Sequence, residues 1–526
     1  MRSAARITAS LIAVFSLLFV SAATAQSDPA AACAGLADQK LADTTISAAQ
    51  TVTSGSFTPP GSSNAITNLP PFCRVAGVIA PTSESRILFE VWLPLQKWNG
   101  KFAGVGNGGW AGLISFGALA EQIRRGYASA STNTGHEAAP GANMARFAFE
   151  HPEQLIDFAY RAHHETAMKA KALVHALYGK SPERAYWIGC SSGGYEGLME
   201  AQRFPGDYDG IVAGAPANNW TRLMAGDLDA TLAVLKDPAS LLPAPALGVL
   251  YRAVLAACDH ADGVTDGVID DPRRCAFDPS TVQCAANQSS GTCLTPAQVE
   301  AARRIYRGLK DPTTGAQLYP GLAVGSELFW PNRDPATPFP IPIAHYKWLV
   351  FADPNWDWRT FQFSDSSGHS AFLKAESKFA PLLNATNPDL KAFRQRGGKL
   401  IQYHGWSDQL IAAQNSIDYY ESVLAFVGGP DRAAAVRDVQ TFHRLFMAPG
   451  MAHCGGGPGP NSFDMQAALE QWVEHGVAPE EIIATHSTNG VVDRLRPLCP
   501  YPNVAVYKGR GDTNDAANFV CREAKR

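Results

Sequence analysis

The feature that most constrains the fold is the run RAYWIGCSSGGYEGLME at residues 184–200. Tyr186, Trp187 and Ile188 read as a buried strand, Gly189 to Gly193 as a G-x-S-x-G, and the residues after it as a helix. A strand-to-helix turn this tight forces its middle residue into strained backbone and lifts the side chain clear of the sheet. A Cβ at either flanking position would strike neighbouring backbone, hence the glycines. Ser191 then stands at a helix N-terminus, where free backbone N–H groups stabilise a developing oxyanion. In a chain with 46 glycines the motif alone says little; the strand before it and the helix after it carry the reading.

The same strand–helix rhythm surrounds it. Ile87, Phe89, Val91 and Leu93 alternate as a strand, Phe102–Gly106 and Tyr127–Thr132 read as two more, and Pro152–Gly179 has helical periodicity. Gly210–Gly214 follows as a strand, and the pattern resumes at Gly398–Tyr403 and Thr441–Met447. This is an α/β fold with a largely parallel sheet. Residues 26–217 and 396–526 are expected to be two parts of one core. Residues 218–395, rich in proline and aromatics (Phe329, Trp330, Trp348, Phe351, Trp356, Trp358, Phe361, Phe363), are expected to be an inserted lid. The Ala-, Ser- and Pro-rich stretch from Ser27 to about Pro71 reads as a loose segment stapled to the body.

A formal net charge of −4 gives no basic footprint for nucleic acid. Residues 1–25 read as a cleaved export signal. Arg2 and Arg6 precede the apolar run Leu11–Val20, which is too short to span a bilayer comfortably, and Ala23-Thr24-Ala25 fits a cleavage site. A secreted or periplasmic protein is expected, with no membrane partner. In that oxidising setting ten cysteines are expected to form disulfides.

A serine hydroxyl needs a base, and the base a carboxylate. Asp408 follows one late strand and His453 the next, which is the chain order of an α/β-hydrolase triad with Ser191. His404 and His443 are lesser candidates because they lie at or inside strands; Asp418 falls within an apparent helix. Cys190 directly precedes Ser191, and Cys454 directly follows His453. A disulfide between them would hold the two Cα atoms about 5–6 Å apart and pin nucleophile against base. Ile411, three residues past Asp408, is a candidate for the substrate pocket.

In GCSSGG (189–194), FPGDYDGIVAGAP (204–216), GWSD (405–408) and His453-Cys454, the chain resembles the tannase and feruloyl esterase family of α/β-hydrolases. The resemblance runs over essentially the whole mature chain. It implies nucleophile Ser191, acid Asp408 and base His453, with oxyanion donors at the N–H of Ser192 and of Gly109, or of Gly108 instead. It further implies the pairs Cys33–Cys73, Cys258–Cys275, Cys284–Cys293 and Cys499–Cys521. The segment CDHADGVTDGVID (258–270) is no EF-hand, and its spacing fits a solvated acidic turn as well as an oxygen-ligand loop. The resemblance implies a structural Ca²⁺ in the lid, on the carboxylates of Asp259, Asp262 and Asp266 and the carbonyls of Val264 and Val268. The expected substrate is a small aromatic ester, free or attached to plant polysaccharide or tannin. Hydroxycinnamates come first, then gallates, then an aromatic dicarboxylate half-ester, which needs a cation for its distal carboxylate. Outside enzymes, the competing reading is a calcium-dependent binding protein on an inactive hydrolase fold; a peptidase is more distant.

Overall fold

The computed structural model describes residues 1, 29–286, 288, 291–331, 334–428 and 431–523. The expected export signal, Met1 apart, lies outside the described residues. Nine strands form the central sheet: β1 (Thr44–Val52), β2 (Phe72–Ile79), β3 (Ile87–Pro94), β4 (Lys101–Val105), β5 (Ala128–Thr132), β6 (Arg184–Cys190), β7 (Gly210–Gly214), β8 (Lys399–Gly405) and β9 (His443–Ala448). Their spatial order is β1-β2-β3-β5-β4-β6-β7-β8-β9. From β5 to β9 every neighbouring pair is parallel, and β1, β2 and β3 add an antiparallel flank.

A parallel sheet is covered on both faces, so its inner strands are apolar on both sides. β7, with all five residues buried, shows this most plainly. On one face Phe102, Trp187, Ile211 and Leu400 enter the main core. On the other, Ala103, Tyr186, Val212, Ile401 and Phe446 meet Leu469 and Trp472 of the helix Met465–His475.

Residues 215–398, between β7 and β8, supply none of the nine strands. They begin with helix α2 (Trp220–Leu235), named after α1 (Ser192–Arg203), the helix that follows β6. Tyr346, Phe351, Trp356, Phe361 and Phe363 pack against one another, so much of the aromatic crowd is the insertion's own core. Two of the bonds that tie the insertion to the sheet's C-terminal edge lie near the ends of β4 and β8. Trp110 Nε1–H donates to Ile341 O at 3.2 Å, and Ser407 Oγ–H to Gly325 O at 2.9 Å.

One expectation is corrected. The segment after Ser27 is not loose: Thr44–Val52 is the edge strand β1, paired antiparallel with β2 along its whole length. Its sequence, TTISAAQTV, hides this because an edge strand needs no regular apolar face, and none of its residues is fully buried. The ten cysteines pair as Cys33–Cys73, Cys190–Cys454, Cys258–Cys275, Cys284–Cys293 and Cys499–Cys521.

Candidate active site

Ser191 caps the turn between β6 and α1 with φ 63° and ψ −122°, a strained backbone for a residue with a Cβ. Three bonds hold it there. Its N–H donates to Gly214 O at 2.9 Å, while its carbonyl accepts from Tyr195 N–H at 3.0 Å and Ala217 N–H at 3.2 Å. The turn closes only around glycine: a Cβ on Gly189 would lie 2.3 Å from Gly193 O.

Asp408 and His453 arrive from adjacent parallel strands. Just past β8 and β9, Trp406 N–H donates to Ala448 O and Ser407 N–H to Met451 O, both at 2.9 Å, zipping the two loops together. His453 Nδ1 lies 2.7 Å from Asp408 Oδ2. A carboxylate only accepts, so Nδ1 carries the proton and Nε2 is left to accept one. The other carboxylate oxygen accepts the N–H groups of Leu410 (2.8 Å) and Ile411 (2.9 Å). His404 Nε2 lies 3.1 Å from both Asp408 Oδ2 and Ile411 O, two acceptors, which places its proton on Nε2. His404 Nδ1 then accepts from Ser416 Oγ–H at 2.7 Å.

These contacts set the electrostatics. Burial works to raise the Asp408 carboxyl, but the charge of His453 and the bonds from His404 and His453 outweigh it and hold it well below the usual range. Burial lowers the His453 imidazole, and the Asp408 charge and hydrogen bond overcome this to leave it raised. Cys190 and Cys454 are joined with Cα atoms 6.0 Å apart, which brings the backbone beside Ser191 against that beside His453.

Ser192 is the first residue of α1, so its N–H has no intrahelical acceptor. Its hydroxyl donates to Gly109 O at 2.6 Å. The loop is locked through Asn107, whose N–H donates to Glu196 Oε2 at 3.0 Å and whose carbonyl accepts Gly193 N–H at 2.9 Å. Glu196 Oε1 in turn lies 3.3 Å from His163 Nε2, both side chains 1 % exposed. Glu196 therefore ties α1 to the loop bearing Gly108 and Gly109. Among the described residues, neither glycine's N–H has an acceptor.

Other expected residues take different places. The Ile411 side chain lies in the main core, 3 % exposed, and contributes its backbone to the Asp408 clasp. His443 is wholly buried beside Gln402 and is pushed down to about 3 by burial. Asp418 sits on the helix Gln414–Gly428, accepting from Gln414 Nε2. Glu196 escaped the sequence reading although it stands among Gly193, Gly194, Tyr195, Gly197, Leu198 and Met199; an acid in that run was its signal.

The acidic loop is ordered by its own backbone. Asp259 accepts the N–H groups of Asp266 (3.1 Å) and Gly267 (2.9 Å), Asp262 that of Val264 (2.9 Å), and Asp266 that of Val268 (3.2 Å). Arg496 also donates to Asp266 at 2.7 Å. Among the described residues, no three His, Cys, Asp or Glu side chains are already gathered into a metal-holding group. The donor set still suits a hard cation: Asp262 and Asp270 line one cavity, and burial followed by the Asp262 charge pushes Asp270 up to about 7. Asp270 is not among the residues expected from sequence.

A mostly parallel sheet with serine, aspartate and histidine delivered at its C-terminal edge is the arrangement of an α/β-hydrolase, and the family match below makes the class a carboxylic ester hydrolase. The chain belongs to the tannase and feruloyl esterase family, whose model matches residues 73–522. An uncharacterised esterase of Xanthomonas campestris pv. campestris is 39% identical over 94% of this chain and 92% of its own. Mono(2-hydroxyethyl) terephthalate hydrolase of Piscinibacter sakaiensis is 35% identical over 86% of this chain and 85% of its own. The crystal structure of feruloyl esterase B from Aspergillus oryzae superposes with a TM-score of 0.85 at 29% identity, covering 94% of this chain and 100% of that one.

Proposed function

We propose that the protein hydrolyses esters of aromatic acids through an acyl-enzyme, with hydroxycinnamate esters as the first substrate class and gallate esters as the second. The observation that carries this is the 2.7 Å contact of His453 Nδ1 with Asp408, next to a disulfide that brings His453's neighbour to Ser191's. Ser191 Oγ attacks the ester carbonyl while His453 Nε2 takes its proton. Asp408 holds the tautomer and stabilises the imidazolium, and the N–H groups of Ser192 and Gly109 receive the oxyanion. His453 then protonates the departing alcohol, and water, activated the same way, releases the acid.

The Piscinibacter relative's name makes a terephthalate half-ester the specific competing substrate. A calcium ion on Asp259, Asp262, Asp266, Val264 and Val268 would rigidify the insertion and take no part in the chemistry. Export is supported by five disulfides; among the described residues no helix is long and apolar enough to cross a membrane.

The test is turnover of methyl ferulate, methyl gallate and the terephthalate half-ester by wild type and Ser191→Ala. Hydrolysis is expected in the wild type and a fall of about 10⁴-fold or more in the variant. A wild-type protein that binds these esters without cleaving any would favour the inactive binding-protein reading.

A further inference from the structure

The turn that carries Gly109 is small. Ala111 N–H donates to Gly108 O at 2.9 Å and closes residues 108–111, with Gly109 in the left-handed region at φ 56°. The direction of the Gly109 N–H is therefore that of the turn as a whole, and the turn is anchored from two sides. On the core side the Ser192 hydroxyl donates to Gly109 O at 2.6 Å. On the other side the next residue, Trp110, reaches into the insertion.

Trp110 is 2 % exposed, and its indole N–H, which needs an acceptor once buried, is given to Ile341 O at 3.2 Å. Its ring stacks on His345, with centroids 6.1 Å apart, and stands edge-on to Trp220 at 4.8 Å. Burial pushes the His345 imidazole down to about 3, so that ring is neutral and packs as an aromatic. Trp220, Ile341 and His345 all belong to the insertion. Ile341 also covers the donor directly. Where a Gly109 Cβ would sit, the nearest described atom outside residues 108–110 is Ile341 Cδ1, 3.6 Å away. The helical stretch 340–350 is docked on the core by a bond that does not involve Trp110, since Trp348 Nε1–H donates to Ala142 O at 2.6 Å. It is a fixed surface against which the turn is set.

We infer that Trp110 is a positioning residue through which the insertion sets the oxyanion turn, so that the hole is complete only with the insertion in place. This rests on the esterase reading and gives the insertion a part in the reaction itself. An oxyanion donor must be aimed at the place where charge develops, which the ground-state carbonyl oxygen does not occupy. A turn free to rock therefore weakens the transition state and leaves substrate binding alone.

The test measures kcat and KM on whichever of methyl ferulate, methyl gallate and the terephthalate half-ester is turned over fastest, with two inhibitors. One is the corresponding free acid, a ground-state ligand. The other is phenyl trifluoromethyl ketone: Ser191 Oγ adds to its carbonyl carbon, the carbonyl electron pair moves onto oxygen, and the serine proton passes to His453. Trp110→Phe keeps a ring and deletes the N–H. It is expected to lower kcat about tenfold and to weaken the ketone by the same factor, while KM and inhibition by the free acid stay within about twofold. Trp110→Leu is expected to show the same pattern more strongly. An equal loss of free-acid binding would mean that Trp110 supports the pocket as a whole. Unchanged kcat and ketone affinity would mean that Ser192 alone holds the turn. Either result overturns the inference while the esterase reading stands, and absence of wild-type turnover on all three esters overturns both. Should a Trp110 variant not fold, Ile341→Ala, which uncovers Gly109 and keeps Trp110, is read in the same way.

Discussion

At His453 two influences oppose each other, and their balance sets a pH limb. Burial favours the neutral ring; the Asp408 carboxylate 2.7 Å away favours the imidazolium and prevails, raising the group above its ordinary 6.5. Attack by Ser191 requires the neutral ring, so kcat/KM should rise with pH through a midpoint above 6.5 and fall away below it. In Asp408→Asn the opposing charge is gone and burial alone remains, so an imidazole NMR titration should place the His453 midpoint below 6.5. A midpoint that does not move on that substitution would mean that Asp408 does not govern the base. His404 adds to the same balance from the other side, since it shares Asp408 Oδ2 with His453.

At the scale of elements, the site is a meeting of strand ends. β6, β8 and β9 run parallel, so their C-terminal ends point the same way and present Ser191, Asp408 and His453 along one edge of the sheet. The Cys190–Cys454 bridge adds what strands cannot. It joins the last residue of β6 to the loop after β9, which are not neighbours in the sheet order, because β7 and β8 stand between β6 and β9. Replacing both cysteines by alanine should therefore lower kcat about 10²-fold, the scale of a displacement near 1 Å at a reacting centre. Far-ultraviolet circular dichroism should be unchanged, since Cys190 pairs with Gly214 through its backbone, which alanine keeps. Near-normal turnover in that variant would show that packing alone positions the triad.

Over the whole molecule, the proposed calcium ion belongs with stability rather than chemistry. An ion held at a hundredfold excess over its Kd contributes about 2.7 kcal/mol, so chelation should lower Tm by a few degrees, about the same in wild type and Ser191→Ala. Asp262→Asn should have the lower Tm already and no response to chelator; an equal response would place the ion elsewhere. Much of this architecture was legible in the sequence because buried parallel strands are short apolar runs: β4, β6, β7, β8 and β9 announce themselves, and the turns after β6, β8 and β9 carry Ser191, Asp408 and His453. What was hidden depended on tertiary partners. β1 has no apolar face to display, and Glu196 gains its role only when α1 meets the Asn107 loop. Ile411 misled because proximity to Asp408 in sequence was fulfilled by its backbone, not its side chain. One topological consequence remains in the bridge between Cys190 and Cys454, whose ends are 264 positions apart. It closes a covalent ring around the entire insertion, β7, β8 and β9. A protease that cuts one exposed loop inside that ring opens it without parting the chain, and Ser191 and His453 stay on the same molecule, so a nick in the lid need not be the end of the enzyme.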